Sequence, residues 1–85
     1  MDYSKEVRDF VTNNFLFGDS SSLQDDMSFL DSAIVDSTGM LELIMFLEGT
    51  YGIKIAPEET LPENLDSVKR VAQFIARKLA PVTGA

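Results

Sequence analysis

The sequence predicts an all-α protein: a small bundle of three main helices plus one short helix, with a long loop after the first helix. Three segments carry apolar residues at helical spacing, and each is bounded by residues that start or stop helices. Between the first two segments, residues 19–36 have no sustained period. Because 85 residues suffice for one small domain and not for two, we expect residues 1–85 to form a single unit with its helical core at about 4–79.

The first helix is predicted over about residues 4–16. Ser4 is a candidate N-cap, and Gly18 stops the pattern, as glycine commonly does after a helix. The apolar stripe between them consists of Val7, Phe10, Val11 and Phe15. In the loop that follows, we expect the apolar residues to pack into the core, or else to form a short helical turn near Met27–Leu30. These apolar loop residues are Phe29, Leu30, Ile34 and Val35.

The second helix is predicted to follow a cap at Asp36 or Ser37 and to end near Tyr51–Gly52. In the run from Met40 to Leu47 only one residue is polar, although a surface helix buries only one stripe. The predicted core stripe contains Met40, Leu43, Leu47 and Tyr51, with Ile44 or Phe46 beside them. A second line, at offsets that stack along one side of a helix, contains Ser37, Leu41, Met45 and Glu48. The apolar members of this second line form either a partner-binding face or additional core.

Short elements and a last helix complete the predicted bundle. Pro57 and Pro62 are each placed to start a short helical turn. Asp66 or Ser67 caps the last helix and Pro81 ends it, which leaves the final residues as a frayed tail. The apolar stripe of the last helix consists of Val68, Val71, Ala72, Phe74, Ile75 and Leu79.

The chain contains no Cys and no His. This composition excludes a disulfide framework, the usual zinc sites, and nucleophile pairs of the Ser–His or Cys–His type. We therefore expect a protein that is not an enzyme and that holds no metal. The Asp residues of the first loop lack the spacing of an EF-hand, so that calcium site is rejected too. No stretch reaches the roughly 20 apolar residues that span a bilayer, and the first residues lack a signal-peptide pattern, so we expect a cytoplasmic location.

Acidic residues are concentrated in the middle of the chain. From Asp19 to Asp66 there are eleven acids and a single base, Lys54, so this part is net −10 while the whole chain is −7. Repulsion disfavours nucleic acid and anionic membranes as partners. Basic protein surfaces are favoured instead, because complementary fields speed their encounter. We expect the chain itself to be a monomer.

Ser37 stands beside Asp36 at the predicted start of the second helix, where N–H groups and a partial positive charge favour a phosphate. As a bare dipeptide, Asp-Ser predicts no more than an ordinary N-cap. Residues 35–44 read Val-Asp-Ser-Thr-Gly-Met-Leu-Glu-Leu-Ile. This segment resembles the phosphopantetheine attachment motif of acyl carrier proteins, which is Asp-Ser-Leu, two variable positions, a hydrophobic residue, Glu and Leu. The likeness covers most of residues 4–79. The residues that match the motif are Asp36, Ser37, Leu41, Glu42 and Leu43.

This resemblance implies that Ser37 carries a covalent 4'-phosphopantetheine arm, which a phosphopantetheinyl transferase donates from coenzyme A. Asp36 would help to position the metal ion of that reaction. The thiol of the arm would hold acyl groups as thioesters for enzymes of a lipid or secondary-metabolite pathway, such as fatty acid biosynthesis. The residues expected to bind those acyl-loading and acyl-using partners through their basic patches are Leu41, Glu42, Met45 and Glu48. The alternative function is that of an unmodified acidic helical adaptor for a basic protein.

Two positions depart from the family pattern. Thr38 follows the serine where the family's usual residue is Leu, and Gly39 stands where many members carry an acid. These departures indicate a specialised carrier that serves one dedicated pathway. Four phenylalanines at helical positions are expected to fill the core, which would leave limited room for a long acyl chain. They are Phe10, Phe15, Phe46 and Phe74.

Overall fold

The computed structural model describes residues 3–19, 21 and 23–79. Within these ranges the chain forms four α-helices and one 3₁₀ turn, and it forms no strand. The elements are α1 (Ser4–Phe15), α2 (Ser37–Tyr51), the 3₁₀ turn (Pro57–Glu59), α3 (Pro62–Leu65) and α4 (Val68–Leu79). The predicted all-α bundle with a long first loop is confirmed. The predicted frayed tail lies outside the described residues.

Helix α1 ends as predicted but begins differently. Leu16 and Gly18 both donate their N–H groups to the Thr12 carbonyl, at 3.2 and 2.9 Å. Gly18 has φ +84°, the left-handed conformation that glycine adopts without strain. At the other end, the prediction that Ser4 is the N-cap is wrong: Ser4 is the first helical residue and Tyr3 occupies the cap position, without a side-chain cap bond.

The other helices are closed by the residue types that the sequence predicts. Gly52, with φ +66°, ends α2 and donates its N–H to the Glu48 carbonyl at 3.0 Å. At the start of α4 the Ser67 hydroxyl accepts the N–H of Arg70 at 3.1 Å, so Ser67 and not Asp66 caps this helix. These caps fix the lengths of the two helices.

Helices α1 and α2 pack antiparallel through their aromatic residues. The Phe10 ring stacks on Phe46 with centroids 4.2 Å apart. Near the start of α1, the Tyr51 hydroxyl donates to the Glu6 carboxylate at 2.9 Å. Burial, followed by that hydrogen bond, raises the pKa of Tyr51 above its usual range, so the phenol stays protonated as the donor. Because the early residues of α1 contact the end of α2, the end of α1 lies beside the start of α2.

The core collects the predicted apolar stripes of all three main helices. Helix α4 packs against α1, α2 and α3. Leu79 differs from the rest of its stripe, since it is exposed at the end of α4. The buried apolar side chains are Val7, Val11, Leu23, Phe29, Val35, Leu43, Leu47, Ile53, Leu65, Val68, Val71, Phe74 and Ile75.

The loop between α1 and α2 is tied to the core at two buried residues, Phe29 and Val35. Leu30, which we expected to pack with them, is 47% exposed, and that prediction is wrong. The reason lies in the polar contacts of its neighbours. Asp66 accepts the Leu30 N–H at 3.0 Å and the Ser28 hydroxyl, while its carbonyl accepts the Phe29 N–H at 2.7 Å. Residues 29–33 therefore form a hydrogen-bonded turn, not a helical turn at Met27–Leu30.

Candidate functional site at the start of α2

Asp36 holds the first turn of α2 together. Its backbone is extended, its carboxylate Oδ1 accepts the Gly39 N–H at 2.7 Å, and its carbonyl accepts the Met40 N–H at 2.8 Å. Asp36, and not Ser37, is therefore the N-cap. A helix start has four N–H groups without intrahelical partners. Asp36 satisfies that of Gly39, and those of Ser37 and Thr38 remain at the open end of the helix.

Ser37 is the first residue of α2 and is exposed, so its hydroxyl is accessible to a partner. Two backbone N–H groups and the positive end of the helix dipole surround this position. Such a donor set fits the negative charge of a phosphodiester on the serine oxygen. The chain contains no His or Cys to activate the hydroxyl.

Gly39 is buried where the end of α1 meets the first turn of α2. A Cβ atom placed on Gly39 would lie 2.8 Å from Cε1 of Phe15 and 3.2 Å from Cγ1 of Val35. The acid that many members of the family pattern carry here would have to displace the Phe15 ring. The departure at Gly39 therefore has a packing cause, which sequence reasoning missed because the contact depends on residues far away in the chain.

The outward line along α2 is apolar in the structure. Leu41 is 62% exposed and Met45 is 71% exposed, whereas Leu43 and Leu47 are buried. The sequence allowed this line to be either a partner-binding face or additional core. Leu41 and Met45 are therefore not core residues. Single exposed leucines are common on protein surfaces, but two large apolar side chains one turn apart beside Ser37 form a patch.

The two acids predicted on this face have different surroundings. Glu42 is exposed. Glu48 is half-buried, and its Oε2 accepts the Ile55 N–H at 2.9 Å. The carboxylate of Glu48 therefore stabilises residues 53–56, which follow α2, whereas the carboxylate of Glu42 makes no hydrogen bond within the described residues.

A cleft of about 310 Å³ opens beside Ser37. Leu30 from the first loop forms part of its wall, and the rest comes from α2 and from residues 60–65, which are α3 and the two residues before it. The sequence did not predict this cleft, because three segments distant in the chain form it. Its signal was the excess of apolar residues on α2. The apolar lining residues are Leu30, Met40, Leu41, Ile44, Leu61, Pro62 and Leu65.

Two other kinds of site are absent from the described residues. No three side chains of the metal-binding types come together there as a metal site. No helix in the same part of the chain has the length and apolar character needed to cross a membrane.

Comparisons with known proteins identify the family. No protein-family model matches the chain. An acyl carrier protein from Brachyspira hyodysenteriae is 39% identical over 70 residues, which cover 82% of this chain and 87% of the relative. An acyl carrier protein from Myxococcus xanthus is 33% identical over 57 residues, 67% of this chain and 70% of the relative. A D-alanyl carrier protein from Abiotrophia defectiva is 29% identical over 55 residues, 65% of this chain and 70% of the relative.

These relatives are carrier proteins and not enzymes, which confirms the prediction that the chain has no enzymatic activity of its own. The identity to the Brachyspira protein spans most of both chains, and the all-α bundle agrees with the fold that the sequence resemblance implied. The chain belongs to the acyl carrier protein family.

Proposed function

We propose that this chain carries acyl groups as thioesters on a 4'-phosphopantetheine arm attached to Ser37. The observation that carries the proposal is an exposed serine at the open end of a helix capped by Asp36. This serine stands four residues before the Leu41–Leu43 run of the attachment motif. The relatives named acyl carrier and D-alanyl carrier proteins support a thioester carrier role.

The arm would supply the thiol that holds the acyl group, and this chain's residues would present the arm. The open N–H groups of Ser37 and Thr38 would stabilise the phosphodiester, by about 0.3–1 kcal/mol at an exposed helix start. Asp36 would keep the serine at the helix end through its bond to Gly39. The base would come from the transferase, and Asp36 would help to position the metal ion there.

The cleft beside Ser37 bears on the size of the cargo. Its volume of about 310 Å³ is about twice that of the roughly 150 Å³ apolar cavity that accommodates benzene in an engineered protein core. Each methylene that enters such a cleft contributes about 0.8 kcal/mol. At the same volume per carbon, we infer that an acyl chain of up to about twelve carbons fits there and that the remainder of a longer chain stays outside. Hydrolysis rates of thioesters of increasing length test this: protection should rise up to about that length and then stop, and protection that stops after the first few carbons, or that continues to rise beyond that length, would contradict it.

The acyl-loading and acyl-using partners would dock on the outward line of α2 with basic patches. Glu42 offers the sharper test because its carboxylate makes no structural bond, whereas changing Glu48 also breaks the Ile55 contact. Glu42→Lys should slow association with the loading enzyme at low salt and leave folding unchanged, since exposed charges act mainly on the on-rate. The matched control is Glu58→Lys, an exposed acid of the 3₁₀ turn. Equal slowing by both variants, or by neither, would remove support for this face.

Attachment at Ser37 is tested by intact mass. With coenzyme A, magnesium and a broad-specificity phosphopantetheinyl transferase, the parent should gain one phosphopantetheinyl group and Ser37→Ala none. The variant should fold normally, because Asp36 and not Ser37 caps the helix. Ser32→Ala is the control, since Ser32 also follows an aspartate but lies in a turn. Uptake of the arm by Ser37→Ala, or failure of every transferase to modify the parent, would refute the proposal.

A second candidate function is an unmodified adaptor that binds a basic protein. The exposed pair Leu41 and Met45 favours it, because such a patch serves docking with or without an arm. Intact mass from the native host separates the two functions: an adaptor would carry no arm. The cytoplasmic location and the monomeric state are part of the same proposal, and they rest on composition and charge.

A further inference from the structure

Phe17 is a fully exposed aromatic residue in a backbone conformation that bulky residues rarely adopt. Its φ is +54°, and Gly18 follows at +84°. The turn after α1 requires such angles, because the Gly18 N–H reaches back to the Thr12 carbonyl and the Asp19 N–H to Leu16. Gly or Asn would adopt them at less cost. The turn therefore explains the backbone of Phe17 but not its phenyl ring.

The Phe17 ring is not packed against the core and stacks on no aromatic ring of the described residues. It differs in this from Phe10, Phe15 and Phe46, which contact the core. An exposed phenyl ring in a strained turn lowers the stability of the isolated chain. A residue of this kind is expected where a partner buries it, because aromatic side chains dominate the energetics of interfaces.

Phe17 lies at the same end of the bundle as Ser37. The ring of Phe15 packs against the backbone of Gly39. Phe17 follows Phe15 by two residues, so their Cα atoms lie within about 7.6 Å of each other. Ser37 precedes Gly39 by two residues, and the same limit applies to their Cα atoms. Leu41 lies about 200° around α2 from Gly39, at about 100° per residue. Ser37, four residues before Leu41, shares the Leu41 side of α2, and the Phe15 contact lies on the opposite side of the helix. Phe17 and the pair Ser37 and Leu41 therefore lie on opposite sides of the same helix end.

The position of Phe17 selects one class of partner. Enzymes that act on the thiol of a long arm can dock on the outward line of α2 without reaching the turn after α1, but an enzyme that acts on the Ser37 oxygen must cover the helix end. A standard interface buries about 800 Å² per partner, a disc of about 16 Å radius. An enzyme that holds coenzyme A also needs basic groups for its phosphates. The exposed acids Asp19 and Asp36 beside Phe17 and Ser37 complement them.

We propose that Phe17 anchors the transferase that modifies Ser37, by inserting its ring into an apolar pocket next to the coenzyme A site of that enzyme. This inference rests on the proposed function. The anchor contributes affinity before and during the reaction alike, so it acts on KM and leaves kcat unchanged.

The test compares transfer rates from a fluorescent coenzyme A with magnesium and the transferase that modifies the parent. Phe17→Asn removes the ring and relieves the turn, and Phe17→Gly is a second variant with the same purpose. Both should melt at or above the parent's temperature and lose at least about tenfold in kcat/KM through KM, the size of an interface anchor. Phe17→Trp should retain most of the rate. Leu79→Asn is the control, because Leu79 is exposed and lies away from Ser37. Its neighbour Lys78 lines a cavity together with Glu48, at the opposite end of α2.

Each other result has a defined meaning. Rates of Phe17→Asn and Phe17→Gly within twofold of the parent would overturn the anchor and leave the proposed function intact. A parent that no transferase modifies would overturn both. Once the arm is attached, Phe17→Asn should accept acyl groups as the parent does, and an equal loss at that step would overturn the choice of partner. A parent dimer that becomes monomeric in Phe17→Asn would assign the ring to a second copy of the chain, and would also overturn the proposal.

Discussion

The two glycines inside α2 should respond in opposite ways to the same substitution. Gly49 is exposed and a Cβ there would meet nothing within 4 Å, whereas a Cβ on Gly39 would lie 2.8 Å from the Phe15 ring. Alanine is favoured over glycine in a helix by about 1 kcal/mol. Gly49→Ala should therefore raise the free energy of unfolding by about 1 kcal/mol. Gly39→Ala gains the same term but pays an overpacking cost of about 1–3 kcal/mol, so it should be neutral to about 2 kcal/mol destabilising.

The Phe15 ring is the source of that cost, which makes a double-mutant cycle decisive. In a Phe15→Ala background, Gly39→Ala should lose at least about 1 kcal/mol of its penalty, although the 3.2 Å approach to Val35 keeps part of it. Urea unfolding, followed by the helical signal in far-ultraviolet circular dichroism, gives all four free energies of unfolding. A stabilising Gly39→Ala in the parent, or the same effect in both backgrounds, would refute the packing cause assigned to Gly39.

Two further predictions concern a buried hydroxyl and an ion pair. Thr12 is buried, and its Oγ1 has no hydrogen-bond partner among the described residues. Thr12→Val should therefore raise the free energy of unfolding by about 1 kcal/mol, which corresponds to a rise of about 4–8 °C in Tm. An unchanged or lower Tm would contradict this. The Ala56 N–H, followed by Lys78, lowers the pKa of Glu59 from 4.5. The contacts that lower this pKa stabilise the fold, fully above that value and less as the pH falls through the lowered pKa. Urea midpoints of the parent and of Glu59→Gln should therefore differ more at about pH 6 than at about pH 3. A gap that does not narrow would contradict this.

The helices could be predicted from the sequence because their signals are local. Apolar spacing and the stop residues Gly18 and Gly52 define α1 and the end of α2 within one residue. The N-cap of α1 was misassigned because Ser4 satisfies the same local pattern one position later than the true cap. Helix boundaries of this kind differ by a residue without any change in packing.

The burial of residues in the first loop could not be predicted from the local sequence. Phe29 and Leu30 are adjacent and both apolar, yet one is buried and the other is exposed. Asp66, 36 residues later in the chain, decides between them by binding the Leu30 N–H and the Ser28 hydroxyl. The cleft beside Ser37 and the close approach at Gly39 depend on equally distant residues. The attachment motif itself is contiguous, and for that reason its candidate serine was recognisable from sequence.

The unusual composition of α2 follows from the number of surfaces that the helix serves. Leu43 and Leu47 are buried in the core, while Ile44 lines the cleft. Phe46 packs against α1, and Met45 faces outward. Contacts with the core and with α1 are satisfied within the chain, so they explain Leu43, Leu47 and Phe46 without any partner. Leu41 and Ile44 line the open cleft, and Met45 faces outward. Leu41 and Met45 share the face of α2 on which Ser37 stands, and the proposed docking of partner enzymes gives these two positions a reason to be apolar.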